Sequence, residues 1–419
     1  MLTRLRLDNY RCFDAFDQTL GGYLVLVGPN GSGKSTLLDS LVLLGDLAGP
    51  QTCSEVFLGA TRGEGAPRAQ ALLELLHRGQ GTQFTLEVEA LAPSKLDLPP
   101  AAADEVVDRN AQPGRELLYQ LTFELQPPDR LIIANELLIV LPVEGYDQGG
   151  GPTEQQLLTR GRDGAAVFRS EPYGAGGDAP DQEFRFELPP DRTALSNLPA
   201  DHRLFATALW FRDHLTRGVL LYQPDWRRMR RPSPPGQPAS PSRDGSNLPW
   251  LAKRLWEEDR ASFLRWEAHV QTALPDVEAV RAVVREEDHH AYLRLRYRAG
   301  YEVTSSGLSH GTLRLLALTL LPYLPALPGL IAVEEPEEGL HPRAIETVMQ
   351  SLGSAYGSQV LVTTQSPLVV AQTVLRDILS LHVTPKGGVV ATPGEQHPVL
   401  QHWKGESSLG TLFAAGVFD

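Results

Sequence analysis

Two stretches of this 419-residue chain carry residue types at spacings that can do chemistry. The first, Gly28-Pro29-Asn30-Gly31-Ser32-Gly33-Lys34-Ser35-Thr36, satisfies the pattern G-x-x-x-x-G-K-[ST] in full. Its glycines let backbone N–H groups turn inward around phosphate oxygens, and a helix starting there adds partial positive charge. In such a loop Lys34 reaches the β- and γ-phosphates and the Ser35 hydroxyl ligates Mg²⁺. The second stretch, Gly329 to Glu337, is an apolar strand ending in two acids. A buried strand that delivers carboxylates at its C-terminal end places Glu334 on the metal side of a nucleotide and Glu335 as the base that orients water. The plain alternatives are a Gly-rich turn and a solvated acidic turn. An apolar strand stands before each motif and a helical pattern follows the first, which neither alternative explains.

Between them lies Leu308-Ser309-His310-Gly311-Thr312-Leu313-Arg314, opening an apolar helix. Gly307 to Gly311 also spells G-x-S-x-G, with Asp377 and His382 following in the order a serine hydrolase would need. That reading leaves the phosphate loop and the acidic strand end without a purpose. Asp288-His289-His290 suggests metal ligands, but adjacent strand residues point to opposite faces, so a solvated turn is the better account. Arg294, Arg296 and Arg298 alternate onto one strand face, and Arg227, Arg228, Arg230 and Arg231 form a second cluster. Either could contact a DNA or RNA backbone, or simply be a solvated charged surface.

Several elements must position these residues. Residues 2–7 alternate as a half-buried strand, Tyr23–Val27 is a short apolar strand, and residues 35–47 read as a helix. Alternating segments at 84–89, 117–124, 131–140 and 184–188 predict an antiparallel sheet, interrupted by Gly/Pro-rich insertions at about 92–115 and 145–182. A helix over 200–217 and a strand over 218–222 follow. Residues 231–249, rich in Pro, Ser and Gly, read as a flexible linker, and 249–272 as one charged helix. The last third alternates helix and strand, as a parallel sheet requires. The expected division is 1–225, 226–300 and 301–419. No heptad run supports long coiled-coil arms. Residues 315–333 carry no charge, but Pro322, Pro325, Pro328 and Gly329 break them into helix, turn and strand, so no membrane span is expected.

With 38 basic and 51 acidic residues the net charge is −13, which excludes a protein that coats DNA through bulk charge. The charge is uneven. Residues 225–300 hold fourteen basic against eleven acidic residues, a local net of +3. Two cysteines exclude a disulfide framework and fit a reducing, cytoplasmic setting.

These motifs together resemble the ABC-type AAA-family ATPases of the RecF/SMC/OLD-like group, nearest to short ATPases of bacterial DNA-repair and phage-defence loci. Asp8 to Phe13, Glu334 to Pro342, Thr363 to Pro367 and Gly405 to Gly416 carry the likeness. It covers 1–45 and 218–419 well and the middle poorly. The resemblance implies an α/β ABC-type head with a mixed antiparallel/parallel sheet lobe and a helical signature lobe. It implies ATP and Mg²⁺ sandwiched in a head-to-tail homodimer, with Ser309 and Gly311 acting across the interface on the partner's γ-phosphate. Gln223 matches the glutamine that senses metal and attacking water, Arg11 lies against base or ribose, and Glu338 to His341 crosses the dimer. Relatives carry His where this chain has Gln365, so slower, less pH-sensitive turnover is expected. The implied cellular role is to drive or gate a separate, nuclease-like effector. The competing reading is a nucleotide-gated scaffold with negligible turnover.

Overall fold

A computed structural model describes residues 1–59, 66–93, 115–141, 154–171, 182–400, 403 and 407–418. Most of the two expected insertions, and Gly405 within the C-terminal motif, lie outside these residues. The chain forms two compact units: one from Met1–Leu20, Asp39–Val219 and Val383–Val390, the other from Gly21–Leu38, Leu220–His382 and Ala391–Asp419.

The first unit is built on an eight-stranded sheet in the order Phe13–Thr19, Leu2–Tyr10, Gln83–Leu91, Glu116–Gln126, Arg130–Leu141, Gln155–Arg160, Ala165–Arg169, Glu183–Glu187. All seven neighbouring pairs are antiparallel. Strand 116–126 alternates buried and half-buried side chains, so one face makes the core. There Phe84 stacks on Phe123 with centroids 4.9 Å apart, and Phe57 meets both edge-on. The strands Gln155–Arg160 and Ala165–Arg169 fall within the expected insertion at 145–182. The glycines and prolines that flank them mask a short hairpin whose alternation spans too few residues to stand out.

The second unit holds a six-stranded sheet in the order Val219–Tyr222, Leu330–Glu334, Gln359–Thr363, Tyr23–Val27, Ile378–Val383, Val389–Pro393. The inner strands are parallel and almost wholly buried, as their unbroken apolar runs require. Register aligns their C-terminal ends: Glu334 pairs with Thr363, and Thr363 with Leu26. Beside the sheet stand helices Leu248–Glu258, Arg260–Ala273, His310–Leu320 and Pro342–Gly353, with a three-stranded antiparallel sheet over residues 277–304. Trp266 is fully buried among them and donates its indole N–H to Thr319 Oγ1 at 3.1 Å. This is the mixed-sheet α/β head expected, with no coiled coil among the described residues, and no helix of the described residues is long and apolar enough to cross a membrane.

Two local expectations change. The single helix over 249–272 breaks at Asp259, whose carboxylate caps the second helix through Ser262 N at 3.0 Å. Residues 231–249 are strapped down rather than free. Ser233 exchanges backbone bonds with Ala291 at 2.7 and 2.8 Å. Asn247 accepts from Ser242 N and donates to Ser240 O, both at 2.9 Å. A Pro/Ser/Gly-rich composition conceals such side-chain anchors.

Candidate active site

The phosphate loop runs from strand Tyr23–Val27 into helix Lys34–Leu47. Gly28 has φ 144°, and a β-carbon there would lie 2.1 Å from the carbonyl of Leu381, so no other residue fits. Ser32 is buried with its hydroxyl unpartnered among the described residues, while Asn30 and Ser35 are exposed and Thr36 half-buried. Lys34 is buried, and its Nζ donates to the carbonyls of Gly28 and Pro29 at 2.7 and 2.8 Å. Burial lowers its pKa below the usual lysine range, and the charge of Glu335 opposes that shift.

Glu334 closes its strand, and Glu335 follows at φ 42°, the left-handed region a glutamate seldom occupies. Its backbone N–H donates to Thr363 O at 3.0 Å. Gln365 Nε2 donates to Glu335 Oε1 at 2.6 Å, and Gln223 Nε2 donates to Glu334 Oε2. Two side-chain amides thus each hold one acid. Glu337 is partly buried, which pushes its carboxyl up; Thr364 Oγ1 donates to it at 2.6 Å, and its other oxygen is unpartnered among the described residues.

Sequence reasoning passed over Arg314 and Arg243. Arg314 is 5% exposed and donates to the carbonyls of Glu334 and Glu335 at 2.9 and 2.7 Å and to Glu338 Oε2 at 3.2 Å. It fastens the turn that presents both acids. A lone charge inside the apolar run Leu313–Leu320 was the available signal. Arg243 donates to Gln223 Oε1 at 2.9 Å, from a segment whose composition offered none.

Ser309 caps helix His310–Leu320, accepting from Thr312 N at 3.1 Å, with its hydroxyl 2.8 Å from that of Thr312. A nucleophilic serine would need that hydroxyl paired with a base, so the hydrolase reading loses its support. A β-carbon on Gly311 would come 2.3 Å from Gly339 O, and one on Gly339 would come 2.5 Å from His310 Nδ1. The start of this helix is therefore locked against the Glu338–His341 loop.

Glu334 and Gln223, and Glu335 and Gln365, are joined by these hydrogen bonds, with Lys34 feeling the charge of Glu335, all within one unit; Ser309 and Gly311 belong to the same unit, where Ser309 bonds Thr312. Arg11 lies in the other unit, where it donates to Arg68 O at 2.5 Å and sits 3.9 Å from Asp39. The arginine clusters are mostly engaged within the chain. Arg294 pairs with Glu302 at 3.0 Å, Arg296 with Glu278 at 2.7 Å, and Arg298 donates to Pro275 O. Arg230 donates to Leu308 O at 2.7 Å and lies over Trp226, as does Arg227; Arg228 is 3.5 Å from Asp244, and Arg231 is exposed.

The donor set also fits a divalent cation. Ser35 and Glu334 are hard oxygen donors that would hold Mg²⁺, which would neutralise charge on the phosphates. The buried, unpartnered Ser32 hydroxyl faces no competing acceptor among the described residues and suits a phosphate oxygen.

Comparisons with known proteins bear on the fold and the family. A family described as "AAA domain, putative AbiEii toxin, Type IV TA system" matches residues 167–371, and one described as "P-loop containing region of AAA domain" matches 2–51. An OLD nuclease of Thermus scotoductus is 46% identical over 48 residues, spanning 11% of this chain and 9% of that protein's length. In fold, the chain is similar to an SMC head solved bound to the C-winged helix domain of ScpA, with TM-score 0.52 and 14% identity over 93% of this chain and 96% of that one. The SMC head domain from Thermotoga maritima aligns over 94% and 98% at TM-score 0.40 and 11% identity.

Proposed function

We propose that this chain, an ATPase similar to the ABC-type AAA-family ATPases of the RecF/SMC/OLD-like group, closes head-to-tail on ATP and opens on slow hydrolysis. The observation that carries this reading is the pair of acids at the end of strand Leu330–Glu334, each held by its own amide beside the phosphate loop's lysine. Glu335 accepts a proton from the attacking water as its oxygen approaches the γ-phosphate. Gln365 orients that carboxylate, and Arg314 fixes the backbone that carries it. Lys34 leaves the carbonyls of Gly28 and Pro29 for the phosphates, a trade its low hydration in this site favours. Ser35 and Glu334 would hold Mg²⁺, which would neutralise charge developing on the phosphates.

The start of helix His310–Leu320, rigidly set against the Glu338–His341 loop, offers N–H groups and the Ser309 hydroxyl to the second copy's phosphate. With its charged sites largely spent internally, this head gates a separate effector, nuclease-like in a repair or phage-defence setting. Contact with a nucleic acid would fall to the exposed Arg227 and Arg231. The competing reading, a nucleotide-gated scaffold, draws on Gln365, which cannot titrate, and on the altered signature at His310 and Thr312. Light scattering of Glu335→Gln with ATP and Mg²⁺ tests the cycle. A dimer that Ser309→Arg abolishes is expected; a monomer throughout refutes the sandwich.

A further inference from the structure

Gln223 sits between two charged groups that leave its carboxamide a single orientation. Its Nε2 donates to Glu334, and its Oε1 accepts from Arg243 Nη2 at 2.9 Å and Nε at 3.3 Å. A guanidinium can only donate and a carboxylate only accept, so the amide nitrogen must face the acid and the oxygen the arginine. Backbone bonds make the arrangement a clamp: Gln223 N donates to Arg243 O at 2.7 Å, and Asp225 N to Asp244 O at 2.9 Å. Asn247 anchors the far side of the same segment through Ser242 N and Ser240 O. Arg243 therefore stands on a fixed support.

We propose that Arg243 is a positioning residue of the hydrolysis cycle, a latch that holds the Gln223 oxygen away from Glu334. Gln223 can offer that oxygen to the metal or the attacking water only by leaving the guanidinium. Each delivery breaks two charge-assisted hydrogen bonds, so Arg243 favours the state in which the oxygen is withheld. The inference rests on the assignment of Gln223 to the reaction.

The test uses the full chain as wild type, Arg243→Ala, Arg243→Lys, Gln223→Ala and the double variant Gln223→Ala/Arg243→Ala. Thermal unfolding confirms that each is folded. Calorimetry gives the ATP Kd with Mg²⁺ and with EDTA, and steady-state assays give kcat and KM. Removing the latch is expected to raise the Mg²⁺-to-EDTA affinity ratio about fivefold in Arg243→Ala, with an intermediate rise in Arg243→Lys. In the Gln223→Ala background the same substitution should change the ratio no further, since the two residues act as one pair. An unchanged ratio in folded Arg243→Ala, or an equal rise in the Gln223→Ala background, overturns the latch. If Gln223→Ala alone leaves both turnover and the ratio at wild-type values, the assignment of Gln223 falls, and the latch with it. If Gln223→Ala lowers them while Arg243→Ala is silent, only the latch falls.

Discussion

Glu136 in the first unit and Glu335 in the second are both carboxylates held by neutral donors, yet they are built for opposite ends. Glu136 is fully buried and accepts from Ala194 N at 2.6 Å, Leu195 N at 2.9 Å and Tyr119 Oη at 2.9 Å, with Arg160 at 4.0 Å. Burial pushes its carboxyl up while those donors pull it back. Glu335 is partly exposed, bonded through its side chain to one amide, and set on a left-handed backbone turn. A saturated carboxylate fixes a fold. An unsaturated one, on a backbone that the surroundings must hold in place, keeps lone pairs for water.

Substitution can break that contrast. Glu136→Ala takes the countercharge from buried Arg160, leaves Tyr119 Oη and two backbone N–H groups without their acceptor, and should cost about 3–5 kcal/mol in denaturant unfolding. ATP turnover per folded molecule should not change; a fall in turnover without loss of stability would erase the distinction. Lys34→Ala removes the buried cation of the phosphate loop and should weaken calorimetric ATP affinity by about a hundredfold at unaltered stability. Gln365→Ala should lower kcat about tenfold with KM little moved, because the amide orients Glu335 without binding substrate. An unchanged rate would show that Glu335 needs no such guide.

The smallest effect lies in the first unit and depends on pH. His214 stacks on Trp210 with centroids 5.0 Å apart, and burial pushes its pKa down to about 4. The unfolded chain takes up the proton near pH 6.5 and the folded chain does not. Stability from this group is therefore complete above about pH 6.5, declines as the pH falls, and levels off below about pH 4. Allowing for partial exposure, the loss at pH 5 is about 1 kcal/mol. His214→Gln should flatten that part of the unfolding profile and leave ATP turnover unaltered.

The site was more legible in the sequence than the fold around it. The phosphate loop and the acidic strand end are contiguous motifs, so spacing alone reveals Lys34, Ser35, Glu334 and Glu335. Gln223 and Gln365 required the resemblance, because a single glutamine has no local pattern. Arg243 and Arg314 act through contacts 20 residues apart or more, which no linear spacing encodes. The strands Gln155–Arg160 and Ala165–Arg169 were hidden by flanking Gly and Pro. The linker at 231–249 misled for the same reason: composition reports chain stiffness, whereas Asn247 and Ser233 impose order through individual hydrogen bonds.

Everything proposed for the cycle depends on Glu335 acting on water rather than merely completing a turn. Single-turnover hydrolysis of radiolabelled ATP by Glu335→Gln against wild type, at matched ATP occupancy, measures this directly. The expected result is a rate lower by about a hundredfold or more with ATP affinity retained. Hydrolysis at the wild-type rate would contradict the account.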